Sequence, residues 1–282
     1  MQVFNSVNKM QEWCRDYKMQ GKKIGLVPTM GYLHEGHLSL VKEAVKSCDI
    51  VVVSIFVNPI QFGVGEDFDD YPRDISRDTN LLEKENVHAV FAPSIKEMYP
   101  EGYSAFVQIE GEITRKMCGA SRPGHFKGVA TVVSKLFNIC QPDLAFFGQK
   151  DAQQVMVIEK MVKELNFSLE IIRCPIVREQ DGMAMSSRNA YLNKEQRQQA
   201  LILSQALNRA EDEIINGERN IKKVRETMHE LINESPQAEV DYIIICNALD
   251  LSDLQEIRGK VLIALAVKIG NIRLIDNLQV EV

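Results

Sequence analysis

Strand-like runs alternate with helical periodicity over the first 173 residues, and helices followed by strands fill the remainder. This order predicts an α/β fold, a doubly wound parallel sheet with a smaller C-terminal α+β domain. A length of 282 residues agrees with two domains. A chain of this size buries roughly three quarters of its unfolded surface.

Ser6 precedes VNKMQEWCRDYKMQ, whose Val7, Met10, Trp13 and Tyr17 recur at spacings of three and four before Gly21, so the first predicted element is a helix. A short strand over 23–27 leads through a loop over 28–36 into HLSLVKEAVKSC, which has helical periodicity. Residues 50–57, IVVVSIFV, are apolar almost without a break and end at Asn58-Pro59, the mark of a strand covered on both faces. Strand, helix and strand within 35 residues make a βαβ unit with parallel pairing and a right-handed crossover.

Alternation continues as a helix over 75–86, a strand over 87–92, a helix over 129–140, a strand over 144–147, a helix over 152–165 and a strand over 169–173. The polar stretch VREQDGMAMSSRNAYL (177–192) breaks it and sets the domain division between 1–176 and 177–282. Two helices, over 195–216 and 220–234, then precede strands over 239–246, 260–268 and 272–281.

The balance of 33 Lys+Arg against 39 Asp+Glu, a net charge of −6, argues against a nucleic-acid or anionic-membrane partner, which needs a basic footprint. Six cysteines (Cys14, Cys48, Cys118, Cys140, Cys174, Cys246) lie far apart without a CxxC pair and read as buried thiols of a reducing compartment. MQVFNSVNKM has no basic segment followed by an apolar core, and the longest apolar run is far shorter than a membrane span. The expectation is a cytoplasmic protein.

The stretch LVPTMGYLHEGH (26–37) joins the first strand of the βαβ unit to the next helix. In an open parallel sheet this is the carboxyl end of a strand, where ligands bind and a helix start offers N–H groups to an anion. Gly31 and Gly36 admit a phosphate close to the backbone, and His34 and His37, three apart, present two imidazoles on one side. HExxH zinc spacing is not met, Walker A is absent, and GVGED (63–67) is followed by Phe68, so it does not complete GxGxxG.

These residues resemble the HxGH nucleotidylyltransferases and class I synthetases, whose histidines contact ATP phosphates, and imply a Rossmann-like N-terminal sheet. Met185-Ser186-Ser187-Arg188 resembles their mobile KMSKS-type loop. SIFVNPIQFGVGEDFDDYPR (54–73), RPGHFKGVATVV (122–133) and FFGQKDAQQ (147–155) narrow the resemblance, over essentially the whole chain, to the pantothenate synthetase (pantoate–β-alanine ligase) family.

That resemblance implies ATP-dependent condensation of (R)-pantoate with β-alanine through a pantoyl adenylate, releasing pyrophosphate and AMP, with Mg²⁺ accompanying ATP. It assigns His37, His34 and Lys150 to catalysis, His37 as the family's proposed proton donor. ATP contacts carry over onto Met30, Gly31, Tyr32, Leu33, His34, Glu35, Gly36, His37, Gly148, Gln149, Lys150, Asp151, Val177, Met185, Ser186, Ser187 and Arg188. Asp151 is implied at the ribose, and Val177 and Met185 around adenine or the ribose. Gln61 and Gln154 are the implied pantoate ligands, Gln61 serving β-alanine as well, with Met30 and Phe62 as an apolar wall and Asn58 orienting the loop.

Lys150 also stands out by itself, because a cation at a helix start is electrostatically misplaced unless an anion binds there. Arg122 and His125 read equally as second-step contacts or as an ordered basic loop. The acidic run over 65–74 reads equally as a neighbour of Mg²⁺ or a solvated loop, and no metal ligand is assigned. His88 and His229 read as structural or surface residues. In this reading residues 1–176 bind nucleotide and pantoate, and 177–282 form a lid domain carrying the MSSR loop. A homodimer is implied. The alternatives are a nucleotidylyltransferase that leaves the nucleotide on its product, a non-catalytic ATP sensor and, less favoured, an aminoacyl-tRNA synthetase, for which the acidic chain lacks a basic stripe.

Overall fold

The structure, a computed structural model, describes residues 1–282. The first half runs β1 (Gln2–Phe4), α1 (Val7–Met19), β2 (Ile24–Thr29), α2 (Glu35–Ser47), β3 (Ile50–Ile55), α3 (Ile75–Lys84) and β4 (Ala89–Phe91). Short α4 (Ile95–Met98) and α5 (Met117–Ser121) follow, then α6 (His125–Cys140), β5 (Leu144–Gly148), α7 (Ala152–Glu164) and β6 (Glu170–Cys174). The six strands pair in parallel in the order β1-β4-β3-β2-β5-β6.

Both faces of this sheet are covered, as the continuous apolar runs predict. Ile24, Leu26, Ile50, Val52, Ala145 and Phe147 share a core with Met10 of α1, Val133 of α6 and Ile158 of α7. Their strand neighbours Val27, Val51, Val53, Leu144 and Phe146 point the other way and pack with Val41 of α2 and Leu82 of α3. Strand β2 lies between β3 and β5, so the winding reverses beside it and a crevice opens at its carboxyl end.

After β6 come α8 (Lys194–Ala200), α9 (Ile202–Ile215), α10 (Ile221–Asn233) and an antiparallel sheet of β7 (Ala238–Asn247), β8 (Lys260–Ile269) and β9 (Ile272–Glu281). Leu207, Ile214 and Met228 of the helices form its core with Ile263, Leu265 and Val267. A smaller cluster sets Met117, Ala152 and Met156 against Cys246, Leu262 and Ala264, joining the two sheets' regions.

The short helices α4 and α5 were not anticipated, and three other elements depart from the sequence reading. Strand β1 was not anticipated: three partly exposed residues carry no readable period, and only pairing with β4 makes them a strand. Helix α6 begins at His125 instead of 129, because Gly124 at φ +86° turns the chain into it and Gly128 sits inside it as a contact residue. The helix expected over 195–216 is divided at Leu201 into α8 and α9. All six cysteines are free thiols, Cys48 half-buried and the others buried. No helix is long and apolar enough to cross a membrane.

Candidate active site

The loop after β2 is held by side chains of its neighbours. The Thr29 hydroxyl donates to the Ser54 carbonyl at 2.8 Å and accepts from the Gly31 N–H at 3.2 Å. Gly31 (φ +85°) and Tyr32 (φ +50°) then turn the chain through the left-handed region. Asp78 of α3, fully buried, accepts the N–H groups of Tyr32 at 2.6 Å and Leu33 at 2.8 Å. Burial raises its carboxyl above the ordinary value against the pull of those donors. Arg77 lies 4.9 Å over the Tyr32 ring.

This loop delivers His34 as the N-cap of α2 and His37 into its first turn, with ring centroids 4.0 Å apart. His37 Nδ1 accepts the His34 backbone N–H at 3.4 Å, which leaves the ring proton on Nε2. Burial, then Lys150, lowers His34 to about 4, while burial followed by His34 and Lys150 keeps His37 well below its ordinary value. Near pH 7 both rings are therefore neutral, each with one N–H to donate. A Cβ on Gly36 would stand 2.9 Å from the His34 ring, so glycine is what lets that imidazole lie against the first turn. His34 Nδ1 is buried with no hydrogen-bond partner.

Lys150 comes from the other side of the crevice. It follows β5 in a 3-10 turn, Gln149–Asp151, and its Nζ lies 3.6 Å from Asp151 Oδ1. The third wall is the 3-10 turn Pro59–Gln61 after β3. Asn58, fully buried, donates to Gln61 Oε1 at 3.2 Å and to the Gly128 carbonyl at 3.1 Å, while Tyr99 Oη donates to Asn58 Oδ1 at 2.8 Å. Gln61 Nε2 in turn donates to Met30 Sδ at 3.1 Å. Asn58 thus orients the glutamine, as expected.

Arg122 and His125 form a network behind Gln61. Arg122 holds Glu66 through Nε at 2.7 Å and Nη2 at 2.5 Å, and its Nη1 lies 3.2 Å from His125 Nε2. His125 Nδ1–H donates to the Gln61 carbonyl at 2.9 Å, so Nε2 is the acceptor for Arg122. Burial, then Arg122, lowers His125 to about 4. Burial alone would raise Glu66, but Arg122 holds it below its ordinary value.

The MSSR segment closes the crevice. Val177 accepts the Met185 N–H at 3.0 Å and Arg178 bridges antiparallel to Ala184, so the residues between them fold back as a hairpin. Ser187 Oγ donates to the Tyr32 carbonyl at 3.2 Å. Arg188 grips Asp67 with Nε at 2.9 Å and Nη2 at 2.7 Å and lies 5.7 Å over the Tyr71 ring. Together these walls enclose a cavity of about 220 Å³.

The profile described as Pantoate-beta-alanine ligase matches residues 2–279. The chain belongs to the pantoate–β-alanine ligase family. It is an enzyme of that activity, joining pantoate to β-alanine. Pantothenate synthetase from Syntrophomonas wolfei is 68% identical over 282 residues, covering all of both chains, and the enzyme from Carboxydothermus hydrogenoformans is 56% identical over the same span. The crystal structure of pantothenate synthetase from Thermus thermophilus superposes with a TM-score of 0.95 at 42% identity over all of both chains. That of the Francisella tularensis ligase, described as complexed with beta-gamma ATP and beta-alanine, has a TM-score of 0.82 at 35% identity, covering 99% of this chain and 97% of that one.

Most residues carried over from this family line the one cavity: Met30, His34, Gly36 and His37 from the first loop, Gln61, then Gly148, Lys150, Asp151 and Gln154, and finally Val177 with Met185, Ser186, Ser187 and Arg188. Phe62, Arg122 and His125 line it too. Gly31, Tyr32, Leu33, Glu35 and Gln149 do not, and the first three shape the loop instead. The acidic run is engaged rather than solvated at Glu66 and Asp67, each paired with an arginine. No group of three His, Cys, Asp or Glu side chains is arranged to hold a metal ion. His88 is structural, its Nδ1 accepting the Val51 N–H at 3.1 Å. Sequence reasoning missed Asp78, whose hold on the HEGH loop comes from 45 residues away with no motif to mark it.

Proposed function

We propose that this ligase uses ATP to join (R)-pantoate to β-alanine through a pantoyl adenylate. The observation that carries the reading is the convergence of His34, His37 and Lys150 with Gln61 and Gln154 on one cavity of about 220 Å³ at the sheet's switch point. In the first step a pantoate carboxylate oxygen bonds to the α-phosphorus and the bond to the bridging oxygen breaks, releasing pyrophosphate. An anion attacks an anion, so charge must be dispersed. The neutral N–H groups of His34 and His37 and the cation of Lys150 are preorganised donors for it. In the second step the β-alanine amine attacks the acyl carbon, a C–N bond forms and AMP leaves.

Gln61 and Gln154 each offer an amide that both donates and accepts, which suits a hydroxyl and a carboxylate, with Met30 and Phe62 against the methyls. Mg²⁺ enters with ATP as substrate, where it would neutralise phosphate charge. The reading includes a division at 176/177, with the MSSR hairpin on the second domain, and a homodimeric enzyme of the cytoplasm.

The test is pantoate-dependent exchange of labelled pyrophosphate into ATP with Mg²⁺, followed by β-alanine and assay of AMP and pantothenate. Exchange only with pantoate, then amine-dependent AMP release, is expected. ATP binding without exchange would overturn the adenylate step.

A further inference from the structure

We propose that Asn277 of β9 is a positioning residue for Lys150, so that the C-terminal sheet sets the geometry of a cation mounted on the N-terminal one. The inference rests on the ligase reading above.

Asn277 is buried, and its Nδ2 donates both hydrogens across the interface, to the carbonyls of Gln149 at 3.0 Å and Lys150 at 2.9 Å. Two successive carbonyls held by one amide fix two successive peptide planes. That sets the direction in which the Lys150 side chain leaves the backbone. The segment is a three-residue 3-10 turn between β5 and α7.

The neighbouring residue anchors the other nucleotide wall. Asp276, also buried, takes Arg178 on both oxygens at 2.6 and 3.0 Å, and Arg178 Nη1 donates to the Gly182 carbonyl at 3.0 Å within the hairpin that leads into MSSR. Asp276 Oδ1 also accepts the Asn277 N–H at 2.8 Å. One stretch of β9 thereby sets the Lys150 turn and the hairpin relative to each other. Asn277 Oδ1 meanwhile is buried with no partner. Leaving an acceptor unmade costs stability, so the residue is poorly explained as a packing element and well explained by its two donors.

Misplacing a charge-stabilising group by about 1 Å costs on the order of 10²-fold in rate. Asn277→Ala, and Asn277→Asp, which keeps the shape and removes the donors, should lower kcat for pantoate-dependent pyrophosphate exchange by about 10–100-fold. KM for pantoate should change by less than about twofold, since Gln61 and Gln154 are untouched. The decisive comparison is a double-mutant cycle with Lys150→Ala. If Asn277 acts through Lys150, its substitution should cost less than about twofold in that background.

Additive losses, a pantoate KM that rises with the fall in kcat, or wild-type exchange in both variants would overturn the inference. Thermal unfolding of each variant separates misfolding from misplacement. Should Asn277→Ala fail to fold, Asn277→Ser enters the same cycle. Where Lys150→Ala leaves exchange below detection, the cycle is read as the Kd of a non-hydrolysable ATP analogue. Absence of exchange in the wild-type enzyme would instead strike the ligase reading itself.

Discussion

Ser187 Oγ donates a hydrogen bond to the carbonyl of Tyr32 at 3.2 Å, tying together two loops 155 residues apart in the chain. Tyr32 is held from behind by Asp78, and Ser187 is followed by Arg188, which grips Asp67. The HEGH loop, the acidic run and the MSSR loop thus form one connected wall. Its arginine is presented at the cavity already paired with Asp67, so on the proposed reading an incoming triphosphate would compete with Asp67 for it.

Ser187→Ala should loosen this wall without touching His34 or His37. A partly buried hydrogen bond to a carbonyl contributes about 1 kcal/mol, so the open fraction of the loop should rise roughly fivefold. Limited proteolysis within residues 183–190 reads it directly: faster cleavage in the variant, and slower cleavage in both proteins with ATP present. Equal cleavage of variant and wild type would mean that the contact does not hold the loop.

His34→Ala and His37→Ala should each lower pyrophosphate exchange by about 10²–10³, the scale for loss of one preorganised donor. Because burial leaves both rings neutral well above their depressed pKa values, the wild-type exchange rate should have no inflection near the ordinary histidine value of 6.5. Wild-type rates in both variants would falsify the phosphate role. A histidine-like inflection that disappears in His37→Gln would show that bound phosphate restores its basicity.

The histidine pair was legible because HEGH is contiguous and sits where a strand run gives way to a helical one. So were most strands, whose apolar runs over 50–57 and 260–268 match β3 and β8 to within two residues. What was not legible is pairing across distance. Nothing in GVGEDFDD says that Glu66 meets Arg122 and Asp67 meets Arg188, or that Asp78 caps the turn at Tyr32, since these contacts exist only once separate loops converge. The helix read over 129–140 in fact starts at His125, with Gly128 inside it where it meets the backbone of the Gln61 turn, a contact that likewise exists only once separate segments converge.

Stability should fall as the pH drops from 6.5 towards 4. A histidine whose folded pKa is depressed stabilises the fold above its unfolded value, and that contribution is lost as the unfolded chain takes up a proton the folded one refuses. His125, lowered to about 4 by burial and by Arg122, is the clearest case. One such group gives a slope of up to about 1.4 kcal/mol per pH unit. Tm measured at intervals from pH 7 to 4.5 should decline less steeply in His125→Gln than in wild type, whatever the absolute Tm of the variant. Parallel declines would contradict the neutral, buried state assigned to His125.

Gln154→Ala should raise KM for pantoate by about tenfold, the equivalent of one lost hydrogen bond of about 1.4 kcal/mol, and leave ATP binding near normal. Gln154 lines the cavity but, unlike Gln61, makes no side-chain hydrogen bond to the protein, so its loss strands no partner. Calorimetric titration with an ATP analogue beside pantoate kinetics separates the two effects. Equal weakening of both ligands would place Gln154 outside the pantoate pocket.

Gly128→Ala tests the same pocket from beneath. In α6 the missing side chain lets the helix lie directly on the Gln61 turn: a Cβ there would stand 2.5 Å from Gln61 Cα, 2.6 Å from its N and 2.7 Å from the Ile60 carbonyl carbon. These are backbone atoms, so no rotamer change relieves the clash. Either the helix or the turn must move, at a cost of about 1–3 kcal/mol for overpacking. The hydrogen bond from Asn58 to the Gly128 carbonyl ties that movement to the residue that orients Gln61. The variant should therefore lose thermal stability and pantoate affinity together, while affinity for an ATP analogue, which the proposed reading sets against α2 and the Lys150 turn, is retained. Loss of stability with unchanged pantoate KM would mean that α6 moves and the Gln61 turn does not.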